Sequence, residues 1–337
     1  MSSLNGRSAI VILTVLTVLS IMCIAFACMV GSVTLPFSDL FSGVVDAMRN
    51  APATLAATLF ELRLGRALCA FVTGAALSLA GVMMQALLRN PLADPYVLGV
   101  SGGAAAGALA AMLFFGVAWM VDLAAFGGAI LVSLIFFLLA YRDLRSGIAD
   151  GNPSLLLLTG AIIAAGCGAL VTLMLSLVPD GRVRGMVFWL IGDLSGAQLR
   201  WWPWIVLVGV LLFATRSARA INLLAMQAET AATLGIKVGA LRQQLFFCTA
   251  LLTASAVSNA GSIGFVGLIV PHACRFALGP DHRLLMPAAT LVGGSFLVLA
   301  DTLARSLLGP QQLPVGVITA LIGVPVFLMQ LHHVGRK

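Results

Sequence analysis

The sequence predicts an all-α, polytopic membrane protein with about ten transmembrane helices, organised as one domain over residues 1–337. Three observations carry this expectation. Hydrophobic residues make up 61% of the chain and charged residues only 9%, too little polar surface to cover a soluble globule. Mean hydropathy is +1.08. The apolar runs also recur from end to end with only short polar breaks, so a length that could hold two soluble domains reads as one membrane unit.

The first run, Ser8 to Val30 after Arg7, has 23 residues. That exceeds the roughly 7–15 of a signal-peptide core and suits a span of about 20. Further helices are expected near 64–88, 96–116, 118–140, 155–178, 201–215, 241–261, 264–278, 285–307 and 314–333. The run at 264–278 is short for a full crossing, and the "GSIG" before it reads as a tight turn or an unwound segment. Small-residue stretches such as "VSGGAAAGALA" and "LVGGSF" are suited to close helix approach.

The basic residues occupy the breaks and read as topology signals, not as a nucleic-acid surface, despite the formal charge of +7. With the N-terminus inside and ten crossings, twelve fall inside: Arg7, Arg89, Arg142, Arg145, Arg216, Arg219, Lys237, Arg242, Arg275, Arg283, Arg336 and Lys337. Seven fall outside: Arg49, Arg63, Arg66, Arg182, Arg184, Arg200 and Arg305. Both termini are therefore expected in the cytoplasm, and the seven exceptions become functional candidates.

One break is unusual. Residues 217–240 are too polar to cross yet rich in helix formers, and Gly235 supplies a stop. One or two short helices on the cytoplasmic face are expected there. The segment lacks the lysine-rich face and aromatic anchors of a helix lying on lipid, so a docking element for a cytoplasmic partner is preferred.

Several chemistries lack their residues. A phosphate-binding loop needs Lys followed by Ser or Thr, and neither Lys237 nor Lys337 has that neighbour. The glycines of "GSIGFVG" are spaced unlike a dinucleotide fingerprint, and no His-Glu-x-x-His occurs. The six cysteines show no Cys-x-x-Cys spacing and no clustering with histidine, so neither a disulfide framework nor a metal site is expected. Most carboxylates lie at span ends, which argues against an ion-coupled carrier. Asp301 is the exception, and its spacing to Arg305 pairs the two on one helical face.

Long segments then resemble a known family in the correct order: "ELRLGRAL", "MMQALLRNPLADPYVLGVSGGA", "AETAATLGIKV", "GFVGLIVPHACRFALGPDHR", "LADTLAR" and "LPVGVITALIGVPVF". They are similar to permease subunits of binding-protein-dependent ABC importers for iron-siderophores, haem and cobalamin. The resemblance implies a bacterial inner-membrane permease that is not itself an enzyme. It further implies a second permease copy in a homodimer, two cytoplasmic ATPase subunits that handle ATP and Mg, and an external substrate-binding protein. Arg63, Arg66 and Arg305 match arginines that meet acidic residues of the binding protein. Gln227, Glu229, Thr230, Leu234 and Gly235 match the element that docks on the ATPase. Asn90, Pro91 and Leu92, with Asn152, Pro153 and Ser154, match the cytoplasmic constriction, although Asn90 and Pro91 also read as a helix stop. Arg182, Arg184 and Trp189 match an amphipathic helix at the outer vestibule. Haem is placed first as cargo, a ferric siderophore close behind, and cobalamin as the alternative.

Overall fold

A computed structural model describes residues 6–31, 55–145, 153–308 and 311–334. Every regular element among them is helical: α1 (Gly6–Met29), α2 (Leu55–Leu88), a 3-10 turn (Pro95–Leu98), α3 (Val100–Phe114), α4 (Ala118–Leu139), α5 (Tyr141–Arg145), α6 (Pro153–Leu177), α7 (Asp180–Ile191), α8 (Trp202–Met226), α9 (Ala228–Thr233), α10 (Val238–Ala260), α11 (Val266–Leu278), α12 (His282–Ser306) and α13 (Val315–Val334). Ten of these correspond to the ten expected spans; α5, α7 and α9 are short additions between them. Among the described residues, six helices are long and apolar enough to cross a bilayer. α10 is long enough but is not among the six, because Arg242, Gln243, Gln244, Thr249, Thr253 and Asn259 dilute its apolar face.

The bundle is built around α2. Its sequence alternates Ala, Gly and Ser with Leu, Val and Met, and almost its whole apolar window is buried inside the subunit. Two glycines permit this. A Cβ on Gly74 would lie 2.3 Å from the Gly293 carbonyl of α12, and one on Gly81 would lie 1.9 Å from the Gly267 carbonyl of α11. Backbones that approach this closely gain van der Waals contact, which drives helix association where lipid removes the hydrophobic incentive. α3 and α4 pack by the same device, Gly103 against Gly128 and Gly107 against Ala124.

Two boundaries differ from the sequence reading by nine residues or more. α2 begins at Leu55, not at 64, so Arg63 and Arg66 stand within the helix. α8 runs to Met226, not to 215. The polar stretch after 215 is therefore an extension of that helix, held to the bundle by a stripe of buried Ala214, Ala218, Ile221 and Leu224. The expected unwound segment lies between α10 and α11, where Phe265 adopts φ 71° and the Tyr96 hydroxyl donates to the Ile263 carbonyl at 3.0 Å.

Candidate functional site: two ends of the bundle

At one end, α1, α2 and α12 bring together three sequence-predicted arginines around Asp301. Arg66 makes a bidentate contact: Nε donates to Oδ1 and Oδ2 at 3.1 and 2.9 Å, and Nη2 to Oδ1 at 2.8 Å. Its Nη1 donates to Gln312 Oε1 at 2.7 Å. Arg305 Nε stands 3.9 Å from Asp301 Oδ2, so the expected i,i+4 pair exists but is the looser of the two. Arg63 and Arg305 serve another end of the same cluster. Arg63 Nη1 donates to the Cys28 and Met29 carbonyls at 3.1 and 3.3 Å, and Arg305 Nη2 donates to the Ala27 carbonyl. These are the carbonyls of the last turn of α1, where cations are favoured by both hydrogen bonding and the helix dipole.

Three guanidiniums and one carboxylate would repel on balance, so the α1 terminus supplies the missing negative potential. The sequence reading treated all three arginines as rim charges. The structure instead buries Arg63 and Arg305, and only Arg66, on the exposed Gln312, reaches the surface of this subunit. Arg200, another arginine from the outer set, pairs with Asp122 at 2.5 Å.

α7 lies near the same end. Asp193 N–H donates to the Ala260 carbonyl that ends α10, and Gly316 N–H, opening α13, donates to the Gly192 carbonyl. Arg182 and Arg184 are exposed on it, with the Arg184 guanidinium carbon 5.3 Å from the Phe188 ring centroid. Trp189 is half-buried, and its carbonyl packs against Gly261 at the end of α10.

The opposite end carries α9. Gln227 is extended, φ −155° and ψ 131°, which breaks α8 and starts a new short helix. Ala228 and Ala231 face the bundle; Gln227, Glu229, Thr230, Leu234 and Gly235 are all exposed. Gly235, at φ 83°, closes the helix, its N–H donating to the Ala232 carbonyl and that of Ile236 to Ala231. This left-handed closure is why a glycine stands there. Two large apolar side chains flank the element in the open, Met226 at 77% exposure and Leu234 at 61%.

The first of the two gate segments is a helix stop and turn. Arg89 takes φ 49°, Asn90 N–H donates back to the Gln85 carbonyl, and Asn90 Oδ1 accepts the Leu92 N–H at 2.9 Å. Pro91 and Leu92 are exposed beyond it. Asn152 lies outside the described residues, and Pro153 and Ser154 open α6.

The sequence matches the FecCD transport family over residues 16–333. The chain belongs to the FecCD transport family. It is a permease subunit of the ABC-importer class. It is 40% identical over 290 residues to the cobalamin import system permease protein BtuC of Halobacterium salinarum, covering 84% of this chain and 75% of that protein. It is 38% identical over 282 residues to the vitamin B12 import system permease protein BtuC of Escherichia coli, covering 82% and 84%. Among solved structures, one described as an inward-facing conformation of a metal-chelate type ABC transporter superposes with a TM-score of 0.80 at 28% identity, covering 96% of this chain and 99% of that one. PsaBC from Streptococcus pneumoniae shares the fold, with a TM-score of 0.59 at 16% identity and coverage of 86% and 94%.

Proposed function

We propose that this permease carries cobalamin or a closely related metal chelate inward, working by alternating access with a partner ATPase. The observation that carries the mechanism is the exposed α9 element: a short, glycine-closed helix with apolar flanks that the bundle itself does not bury. Such a surface suits a partner groove better than water. Nucleotide-driven closure of two ATPase subunits would push this element on each of two permease copies and shift the pair between outward and inward states. The arginine end would then face the external binding protein, with both termini in the cytoplasm of an inner-membrane protein. Cargo rests on the two BtuC relatives, which favour cobalamin over the haem that the sequence motifs put first. Arg182 and Arg184 of α7 would line the outer vestibule, and the Asn90–Leu92 turn the inner constriction.

Reconstitution with the cognate ATPase and binding protein, measuring ATP-dependent uptake of cobalamin, haem and a ferric siderophore side by side, tests this reading. Cobalamin uptake is expected to dominate, and preferential haem or siderophore uptake overturns the cargo assignment. Uptake without any ATPase would overturn the mechanism in favour of an ion-coupled carrier.

A second result is expected at α9. Leu234→Asp removes an exposed apolar contact while disturbing little of the bundle, so the variant should fold normally. Co-purification of the ATPase should fall about ten-fold, the loss given by one well-packed apolar anchor. Undiminished co-purification would relocate the docking site.

A further inference from the structure

The loop between α11 and α12 is tied to the end of α8 by an arrangement that none of the roles above uses. Asn222 stands one turn before Met226. Its Nδ2 donates to Asp281 Oδ1 at 2.7 Å, while its Oδ1 accepts the His282 backbone N–H at 2.9 Å and lies 2.7 Å from His282 Nδ1. Chemistry fixes the amide orientation, because a carboxylate only accepts and a backbone N–H only donates. The same logic places the imidazole proton on Nδ1. Asp281 also accepts the Arg283 N–H at 3.0 Å, capping the first turn of α12. Burial pushes its carboxyl up, yet the Arg283 N–H, the Asn222 amide and the charges of Arg283 and His282 outweigh this and hold it below the ordinary carboxylate value. Asp281 is therefore an anion with two donors aimed at it.

Position gives the contact its meaning. On one side it grips the helix that carries α9, five residues before Gln227. On the other it grips the first residue of α12, a 25-residue helix that reaches Asp301 about 28 Å further along its axis. Along the way α12 packs backbone to backbone on α2 through Gly293. A displacement of α9 would thus reach α12 through a polar contact of fixed geometry instead of through sliding apolar surfaces.

We propose that Asn222, Asp281 and His282 form the joint through which the α9 element moves α12 during the transport cycle. They act as positioning residues, and the inference rests on the ATPase-docking role proposed for α9. An exchange of partners discriminates this from a merely structural contact. Asn222→Asp sets two carboxylates face to face, and Asn222→Ala removes the amide. The double variant N222D/D281N swaps the two groups and restores the bonds between the two helices: the carboxylate now on α8 accepts from the amide now at the start of α12 and from both His282 donors, at the expense of the Arg283 N–H bond, which shares Asp281 Oδ1 with Asn222 in the parent.

The permease would be reconstituted with its ATPase and binding protein and supplied with cobalamin. Asn222→Ala and Asn222→Asp are expected to keep basal ATP hydrolysis within about two-fold but to lose ATP-driven uptake about ten-fold, and the double variant to recover at least about half of it. Amide exchange at residues 298–308 after vanadate trapping supplies an arm that needs no cargo: its nucleotide-dependent change should be lost in both single variants and return in the double. Single variants that keep uptake, or that keep the exchange change, overturn the joint, as does a double variant as poor as N222D. A parent complex that moves no cobalamin yet shows the exchange change defeats the cargo reading alone, and the exchange arm then decides the joint.

Discussion

Gly81→Ala is expected to abolish most of the folded protein recovered from a detergent extract, although it adds a single methyl group. The added carbon would sit 1.9 Å from the Gly267 carbonyl oxygen and 2.9 Å from the Gly267 Cα, and both are backbone atoms that cannot rotate away. Gly267 has no room to retreat, since its own Cβ position is already 2.8 Å from Pro95. Overpacking a core costs about 1–3 kcal/mol where side chains can yield. Here α2 and α11 must separate bodily, so a loss at or above the top of that range is expected. Gly127→Ala provides the comparison: it lies on exposed α4 surface with nothing within 4 Å. There the better helix propensity of alanine is worth up to about 1 kcal/mol. Monodisperse recovery and thermal midpoint of the two variants check this. If Gly81→Ala survives as well as Gly127→Ala, α2 is not packed as described.

That prediction could not have been made from the residues alone, and the reason is physical. Apolar runs report which segments can enter a membrane, so all ten spans were visible. The runs say little about what each span touches, because a helix facing lipid and one facing protein use the same Leu, Val and Ala. α1, with little of its apolar window buried within the subunit, and α2, with almost all of its own buried, are both apolar enough to cross a bilayer. The Gly, Ala and Ser content of α2 was the available clue. Boundaries failed where polarity was taken as a stop. Arg216 and Arg219 read as the end of a span, whereas α8 continues past them because Ala218, Ile221 and Leu224 keep one face on the bundle. The turn at Gly235 was legible, since a left-handed closure has a residue signature. Asn222 had none. Its partner lies 59 residues away in sequence and meets it only through packing.

The same limit shaped the reading of the arginines. Asp301 was paired with Arg305 by helical spacing, but its stronger partner, Arg66, lies 235 residues away. This changes the experiment that probes docking. Arg66→Glu would set a second carboxylate against one that is almost fully buried, so a weakened binding-protein contact would be confounded with local unfolding. Asp301→Ala measures the cluster itself. It leaves three guanidiniums without their carboxylate, Arg63 and Arg305 on the α1 carbonyls and Arg66 on Gln312, and removing one partner of a buried pair costs about 3–5 kcal/mol. The partial exposure of Arg66 places the expected loss near the lower figure. The Arg66→Ala, Asp301→Ala double variant should cost less than the sum of the singles, because neither then strands the other. Additive losses in the thermal midpoint would show that the bidentate contact contributes nothing. For docking, Arg66→Gln is the informative change: the shorter neutral side chain can still donate to Asp301 from where the Arg66 Nε stands, 2.9 Å from Oδ2, so the fold should hold. Binding-protein association should then weaken about ten-fold at low salt, with the difference closing toward 1 M, where the Debye length falls to about 3 Å. Arg63 and Arg305, buried on the α1 terminus, should show no such salt dependence when neutralised, only lost stability. A binding protein that associates with Arg66→Gln and the parent alike at every salt concentration would leave all three arginines with the structural task of holding α1, α2 and α12 together.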